Sequence, residues 1–142
     1  MKKLSVMMFG VLFSTISFSQ TIKEKDVPTS VKNAFQQKYP QANVEKWEKE
    51  GANYEAEFDF NEVDQSVLID VQGNIIETEI EIMLSELPKS VTEYIKTNHK
   101  GQTIKEATKI SDSKGTITYE VEIKGKDLIF DRNGSFIKST ND

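Results

Sequence analysis

The sequence predicts an α+β fold made of a duplicated α–β4 unit, in which antiparallel strands form sheets with the helices packed on one face. Three features recur in the same order along the chain. The segments YEAEF at Tyr54–Phe58 and YEVEI at Tyr119–Ile123 almost repeat each other. A helical apolar stripe precedes each segment, and a D-x-x-G motif follows each one. Such self-similarity predicts two repeats, at about 27–82 and about 87–139.

Each repeat begins with a predicted amphipathic helix. VPTSVKNAF at Val27–Phe35 aligns with LPKSVTEYI at Leu87–Ile95. In both segments apolar residues recur at i, i+4, i+7 and i+8, which is typical of a helix with one buried face. Pro28 and Pro88 suit the first helical turn, where the missing N–H costs nothing. Pro40 is expected to end the first helix.

Strands follow each helix. Tyr54, Ala56 and Phe58 alternate with charged residues, and this period of two predicts a half-buried strand with one solvated face. Short connections favour antiparallel pairing. The predicted strands are Asn43–Glu50, Asn53–Asn61, Gln65–Val71 and Asn74–Ile82 in the first repeat, and Gln102–Ser111, Thr116–Lys124, Lys126–Asp131 and Ser135–Ser139 in the second.

The D-x-x-G motifs at Asp70–Gly73 and Asp131–Gly134 predict tight turns. Aspartate accepts hydrogen bonds from the backbone of its own turn, and glycine adopts the positive φ that such hairpins need. A calcium loop is the alternative interpretation of these aspartates. The spacing lacks the alternating oxygen ligands of an EF-hand loop, so we predict turns.

The first 20 residues, MKKLSVMMFGVLFSTISFSQ, have the layout of a secretory signal peptide. Lys2 and Lys3 precede an apolar run, and small residues precede Gln20. A membrane-spanning helix is the alternative, but spanning needs about 20 apolar residues. We therefore predict a signal peptide at residues 1–19, a mature domain at 20–142, periplasmic or secreted localisation, and no membrane insertion after cleavage.

Composition excludes several classes of function. Loss of Lys2 and Lys3 would change the net charge from −5 to −7, and an acidic domain repels nucleic acid phosphates. The chain has no cysteine, which removes thiol nucleophiles and thiolate metal sites. Its single histidine, His99, cannot build a histidine-rich zinc site. We expect no nucleic acid partner and no cofactor.

The first repeat resembles the PepSY-like, beta-lactamase-inhibitor-protein-like (BLIP-like) domain family of exported bacterial proteins. The resemblance lies in P-x-x-V-x-x-A-F-x-x-x-Y-P at 28–40, the charged segment around Trp47, YE-x-E-F at 54–58 and D-x-x-G at 70–73. The second repeat departs from it, with His99-Lys100 in place of Tyr-Pro and Ala107 in place of Trp47. The resemblance implies a periplasmic domain without catalytic activity.

Catalytic chemistry has few candidates. His99 could act as a general base, but its position at the end of the second apolar stripe favours packing at a helix end. Glu55 and Glu57 would lie about 6.6 Å apart on one strand face, a spacing that glycoside hydrolysis can use. On an open solvated face both carboxylates would ionise, so we expect no catalytic residue and keep a carboxylate hydrolase as the third hypothesis.

Metal binding is the second hypothesis, an acidic cation-binding periplasmic protein. Hard cations prefer clustered oxygens, which acidic residues on adjoining strands could supply. No loop of backbone carbonyls accompanies these acids, so we interpret them as a solvated face with lysines such as Lys46 as counter-charges, and predict no metal site. The acids are Glu55, Glu57, Asp59, Glu77, Glu79 and Glu81.

The leading hypothesis is an exported, non-enzymatic binding or inhibitor-like protein whose partner is another envelope protein. Trp47 shares a strand face with charged residues, as exposed interface anchors do. A bulge that turns Trp47 into the core is the alternative. The predicted partner contacts on the exposed sheet face are Trp47, Glu55, Glu57, Glu120 and Glu122.

Overall fold

The computed structural model describes residues 19–141, which form two compact units that meet between Thr78 and Glu79. The predicted signal peptide therefore lies outside the described residues, except for Ser19. Each unit contains one α-helix and a set of antiparallel strands, so the predicted α+β class with a duplicated unit is confirmed.

The first unit contains β1 (Ser19–Ile22), α1 (Thr29–Lys38), β2 (Lys46–Glu50), β3 (Asn53–Phe60) and β4 (Val63–Ile69). Consecutive strands pair antiparallel, so that each strand hydrogen-bonds to its neighbours in the chain. The next strand, β5 (Ile75–Glu81), contains the boundary between the units. No predicted strand corresponds to β1, because its residues SQTI straddle the predicted cleavage point and include one apolar side chain.

The second unit contains α2 (Lys89–Asn98), β6 (Glu106–Asp112), β7 (Ile117–Ile123), β8 (Lys126–Asp131) and β9 (Phe136–Asn141). Its four strands also pair antiparallel in chain order. The eight predicted strands correspond to β2–β9, with ends that differ by a few residues. The sequence therefore indicated every strand except the first.

Each helix buries its apolar stripe against one face of its own strands. In the first unit, Val31 and Phe35 of α1 are buried in a cluster with Ala56 and Phe58 of β3. The rings of Phe35 and Phe58 meet edge to face, with centroids 5.0 Å apart. Such pairs contribute about 0.5–1.5 kcal/mol beyond the burial of their area. The equivalent residues of the second unit form a similar cluster: Val91, Ile95, Val121, Ile123, Leu128 and Phe130.

The two cores differ in one pair of facing residues on neighbouring strands. Trp47 of β2 lies opposite Ala56, whereas Ala107 of β6 lies opposite Val121. A large residue faces a small one in the first unit, and a small residue faces a larger one in the second. The valine replaces only a small part of the volume that the tryptophan side chain fills in the first unit.

The predicted turns at the D-x-x-G motifs are confirmed. Asp70 Oδ1 accepts hydrogen bonds from the N–H groups of Gln72 and Asn74 at 2.9 and 2.8 Å. Gly73 has a φ of +90°. Asp131 makes the equivalent pair of bonds in the second unit. A third turn of this kind, Asp112–Gly115, has no counterpart in the first repeat, and alignment of the repeats therefore does not reveal it.

Gly134→Ala should destabilise the protein more than Gly125→Ala. Both glycines have a positive φ, +82° and +73°, which costs an alanine about 1 kcal/mol or more. A Cβ at Gly134 would also collide with Ser90 Oγ and lie 2.9 Å from Pro88 Cβ, whereas a Cβ at Gly125 would meet nothing within 4 Å. We expect Gly134→Ala to lose about 1–3 kcal/mol more in urea denaturation. Equal losses of stability in the two variants would contradict the close packing of Gly134 against Ser90 and Pro88.

Candidate functional site

In each unit, the face of the strands opposite the helix is here called the helix-free face. In the first unit this face, on β2–β4, carries a dense set of polar side chains. The strand register brings them together across three strands. Glu55 of β3 lies between Glu48 and Leu68, and Glu57 lies between Lys46 and Ser66. Side chains of alternate residues point to the same face of a strand, so these six belong to one surface.

Trp47 does not belong to that surface. Its side chain is 6% exposed and packs against Phe35 of α1, with ring centroids 6.0 Å apart. The interpretation of Trp47 as an exposed anchor is therefore wrong. Ordinary alternation along β2 turns it inward, and the β2–β3 register shows no bulge. Lys49 lies on the same face of β2 as Trp47 and is exposed. A charged residue on that face therefore did not indicate that Trp47 is exposed.

Glu55 is buried on the helix-free face. It is 1% exposed, and neither of its carboxylate oxygens has a hydrogen-bond partner within residues 19–141. Desolvation raises the pKa of Glu55 to about 8. The nearby Ser66 hydroxyl favours the charged form but lacks the geometry of a hydrogen bond, and the charge of Glu57 adds to the increase. The expectation that both carboxylates ionise in water is therefore wrong for Glu55.

The burial of Glu55 results from an apolar residue on the same face, which the sequence analysis predicted to be solvated. Leu68 is buried directly opposite Glu55, and Ile129 occupies the same place in the second unit. The signal is present in the sequence: Val67–Ile69 and Leu128–Phe130 are runs of three apolar residues, which are typical of strands buried on both faces. Thr108 and Asp127 are also buried in the second unit.

Lys46 bridges two acids beside Glu55. Its Nζ lies 2.9 Å from an oxygen of Glu48 and 2.9 Å from Glu57 Oε1. Burial alone would lower the pKa of Lys46, but the hydrogen bonds to Glu57 and Glu48 outweigh it and raise the pKa. For Glu48, desolvation is outweighed by hydrogen bonds from Lys46 and Ser19, which lower its pKa. Desolvation dominates at Glu57 and raises its pKa.

Three carboxylates meet at this place. One oxygen from each of Glu48, Glu55 and Glu57 lies within 4.8 Å of the other two. The sequence analysis placed Glu55 and Glu57 together but missed Glu48. The alternation of KWEKE along β2 was the available signal, because it sets Lys46 and Glu48 on one face and Trp47 on the other.

The remaining candidates lie in the second unit. Glu120 and Glu122 of β7 are partly exposed and share one face, where Glu120 lies opposite Thr108 and Ile129. Glu122 accepts a hydrogen bond from Lys105 Nζ at 3.0 Å. His99 ends α2, with its ring centroid 6.1 Å from that of Tyr94, as expected for a histidine that packs at a helix end.

Each unit thus has a helix on one side of its strands and a polar surface with buried members on the other, which defines a duplicated α+β domain. A family model described as "Putative beta-lactamase-inhibitor-like, PepSY-like" matches residues 16–77 and again residues 70–138. The two matches cover most of the chain, and this protein belongs to that family. No curated protein matches the sequence.

Solved structures share the fold. A protein from Bacteroides eggerthii described as one of the "putative periplasmic proteins" is 18% identical, with a TM-score of 0.73 over 81% of this chain and 88% of that one. A DUF2874 family protein from Bacteroides uniformis is 23% identical, with a TM-score of 0.71 over 80% and 88%. A BLIP-like protein from Bacteroides fragilis is 22% identical, with a TM-score of 0.59 over 80% and 86%.

Within residues 19–141, no helix has the length and apolar character needed to cross a membrane.

Glu55→Gln should remove a pH dependence of stability. The pKa of Glu55 is raised in the folded state, so the folded protein binds the extra proton and loses stability as the pH rises from about 4.5 towards about 8. Between about pH 5 and pH 9, the wild type should lose on the order of 4 kcal/mol more than the variant. Urea denaturation at both pH values measures the difference. Glu93→Gln, on the exposed side of α2, is the matched control, and a Glu55→Gln profile parallel to the wild type would refute the burial.

Proposed function

We propose that this protein is a non-enzymatic binding protein of the bacterial envelope, which contacts another envelope protein through the helix-free face of its strands. The observation that carries the proposal is the unequal covering of the two faces. Within each unit the helix covers one face, whereas partly exposed acids stand on the other. Trp47 is no longer among the contacts, because it is buried. The proposed contacts are Glu57 in the first unit, with Glu55 buried beside it, and Glu120 and Glu122 in the second unit.

The charge of the surface indicates the chemistry of the partner. The net charge of −5, which predicted cleavage would make −7, favours association with a basic surface. Charged groups at the rim of an interface mainly accelerate association and select partners by complementarity. Binding should therefore weaken as the salt concentration rises, because exposed charges are screened.

The hydrolase hypothesis has one observation in its favour, since Glu55 has a raised pKa beside a carboxylate, as general acids do. Two observations weigh against it. A general acid must reach the substrate, but Glu55 is 1% exposed. Its neighbour Glu57 is bound to Lys46 at 2.9 Å, which would have to move before the carboxylate could act as a nucleophile. These observations support a role without catalysis.

Substitution of the second-unit acids tests the proposal. The double variant Glu120→Gln/Glu122→Gln removes two charges from the helix-free face of the second unit. Glu24→Gln/Glu93→Gln removes two charges from exposed positions elsewhere and is the matched control. Each protein is immobilised and exposed to envelope extract of the host at low and high salt. We expect the wild type and the control to retain the same partner, and the double variant to retain about tenfold less. Equal retention by the double variant would contradict the proposed surface.

A further inference from the structure

Glu55 and Ser66, which are buried on the helix-free face of the first unit, have side-chain oxygens without a hydrogen-bond partner within the described residues. Both carboxylate oxygens of Glu55 are unpartnered, and so is the hydroxyl of Ser66 on the neighbouring strand. Each residue is 1% exposed. Buried polar groups are nearly always hydrogen-bonded or bound to an ion, because leaving them unpaired costs free energy. These oxygens therefore point to a ligand that supplies positive charge.

The geometry around Glu55 matches one cation. Its carboxylate lies within 4.8 Å of oxygens from Glu48 and Glu57. Calcium binds oxygens at about 2.3–2.6 Å, so two oxygens on opposite sides of the ion lie up to about 5 Å apart. All three carboxylates can therefore contact the same ion. Calcium accepts irregular arrangements of oxygen ligands, whereas magnesium requires near-octahedral geometry at shorter distances.

We propose that Glu48, Glu55 and Glu57 bind one divalent hard cation of the calcium type, with the Ser66 hydroxyl as a fourth protein oxygen. The ligands come from three adjacent strands, whose register fixes their spacing. Thr21 Oγ1, which lies within the predicted mature domain, donates to Glu48 Oε1 at 3.3 Å. Hydrogen bonds of this kind around a metal ligand hold it in the binding geometry.

The ammonium group of Lys46 competes with the proposed cation for the carboxylates of Glu48 and Glu57. Its ammonium group contacts Glu48 and Glu57 but makes no hydrogen bond to Glu55, so it compensates two of the three acids. The Lys46 side chain is 39% exposed and can move into solvent when a divalent ion enters. Competition with a bound ammonium predicts modest affinity, with a Kd on the order of 10⁻⁴–10⁻³ M, as in extracellular calcium modules.

Titration calorimetry of the purified protein with calcium chloride tests this site, with magnesium chloride at equal ionic strength for comparison. We expect one calcium ion per chain and weaker binding of magnesium. Lys46→Met should raise calcium affinity about tenfold, because it removes the competing charge. Glu55→Gln should lower it at least about tenfold, since it removes one ligand charge. Glu93→Gln loses the same charge at an exposed position and should bind as the wild type does.

Ser66→Ala is the second variant, to be used if Glu55→Gln does not fold. It leaves all three acids in place and should weaken calcium binding. Far-UV circular dichroism establishes that each variant is folded. Absence of calcium binding in both the wild type and Lys46→Met would overturn the proposal. Unchanged binding in folded Glu55→Gln would overturn it too, because the ion would then lie elsewhere. The calcium titration needs no protein partner, and the test of the proposed protein contact substitutes residues of the second unit, so the two experiments can fail separately.

Discussion

The burial of the Glu55 carboxyl group is the constraint on which the candidate site depends. Leu68 lies on one side of it and Glu48 on the other, so the chain surrounds an acid with an apolar residue and another acid. An uncompensated charge in such a place is costly, and the folded protein therefore holds a proton on Glu55 well above the usual pH. The Lys46 bridge between Glu48 and Glu57 follows from the same crowding of carboxylates.

In each unit, both faces of the strands contain buried residues, although a helix covers only one of these faces. The helix-side core is conventional, with the stripes of α1 and α2 packed on alternating apolar residues. The opposite face has a buried apolar residue at its centre, Leu68 or Ile129, surrounded by polar groups.

The sequence analysis predicted the structural features that local periodicity determines. The helices, eight strands and the two D-x-x-G turns follow from spacing and from the residues that turns require. Two features depend on register between strands, which is a non-local property: the burial of Glu55 and the meeting of Glu48 with Glu57. Alternation within one strand separates two faces but does not show which face is covered. The apolar runs at Val67–Ile69 and Leu128–Phe130 were the signal that both faces are partly buried.

The most direct test of this account is the titration of the Glu55 side chain itself. Carbon-detected NMR of the carboxyl groups, with the Glu55 signal assigned by its absence in Glu55→Gln, follows its protonation with pH. The structure predicts a midpoint near 8. A midpoint at the ordinary glutamate value of about 4.3 would show that water reaches this carboxylate, and would contradict the buried site.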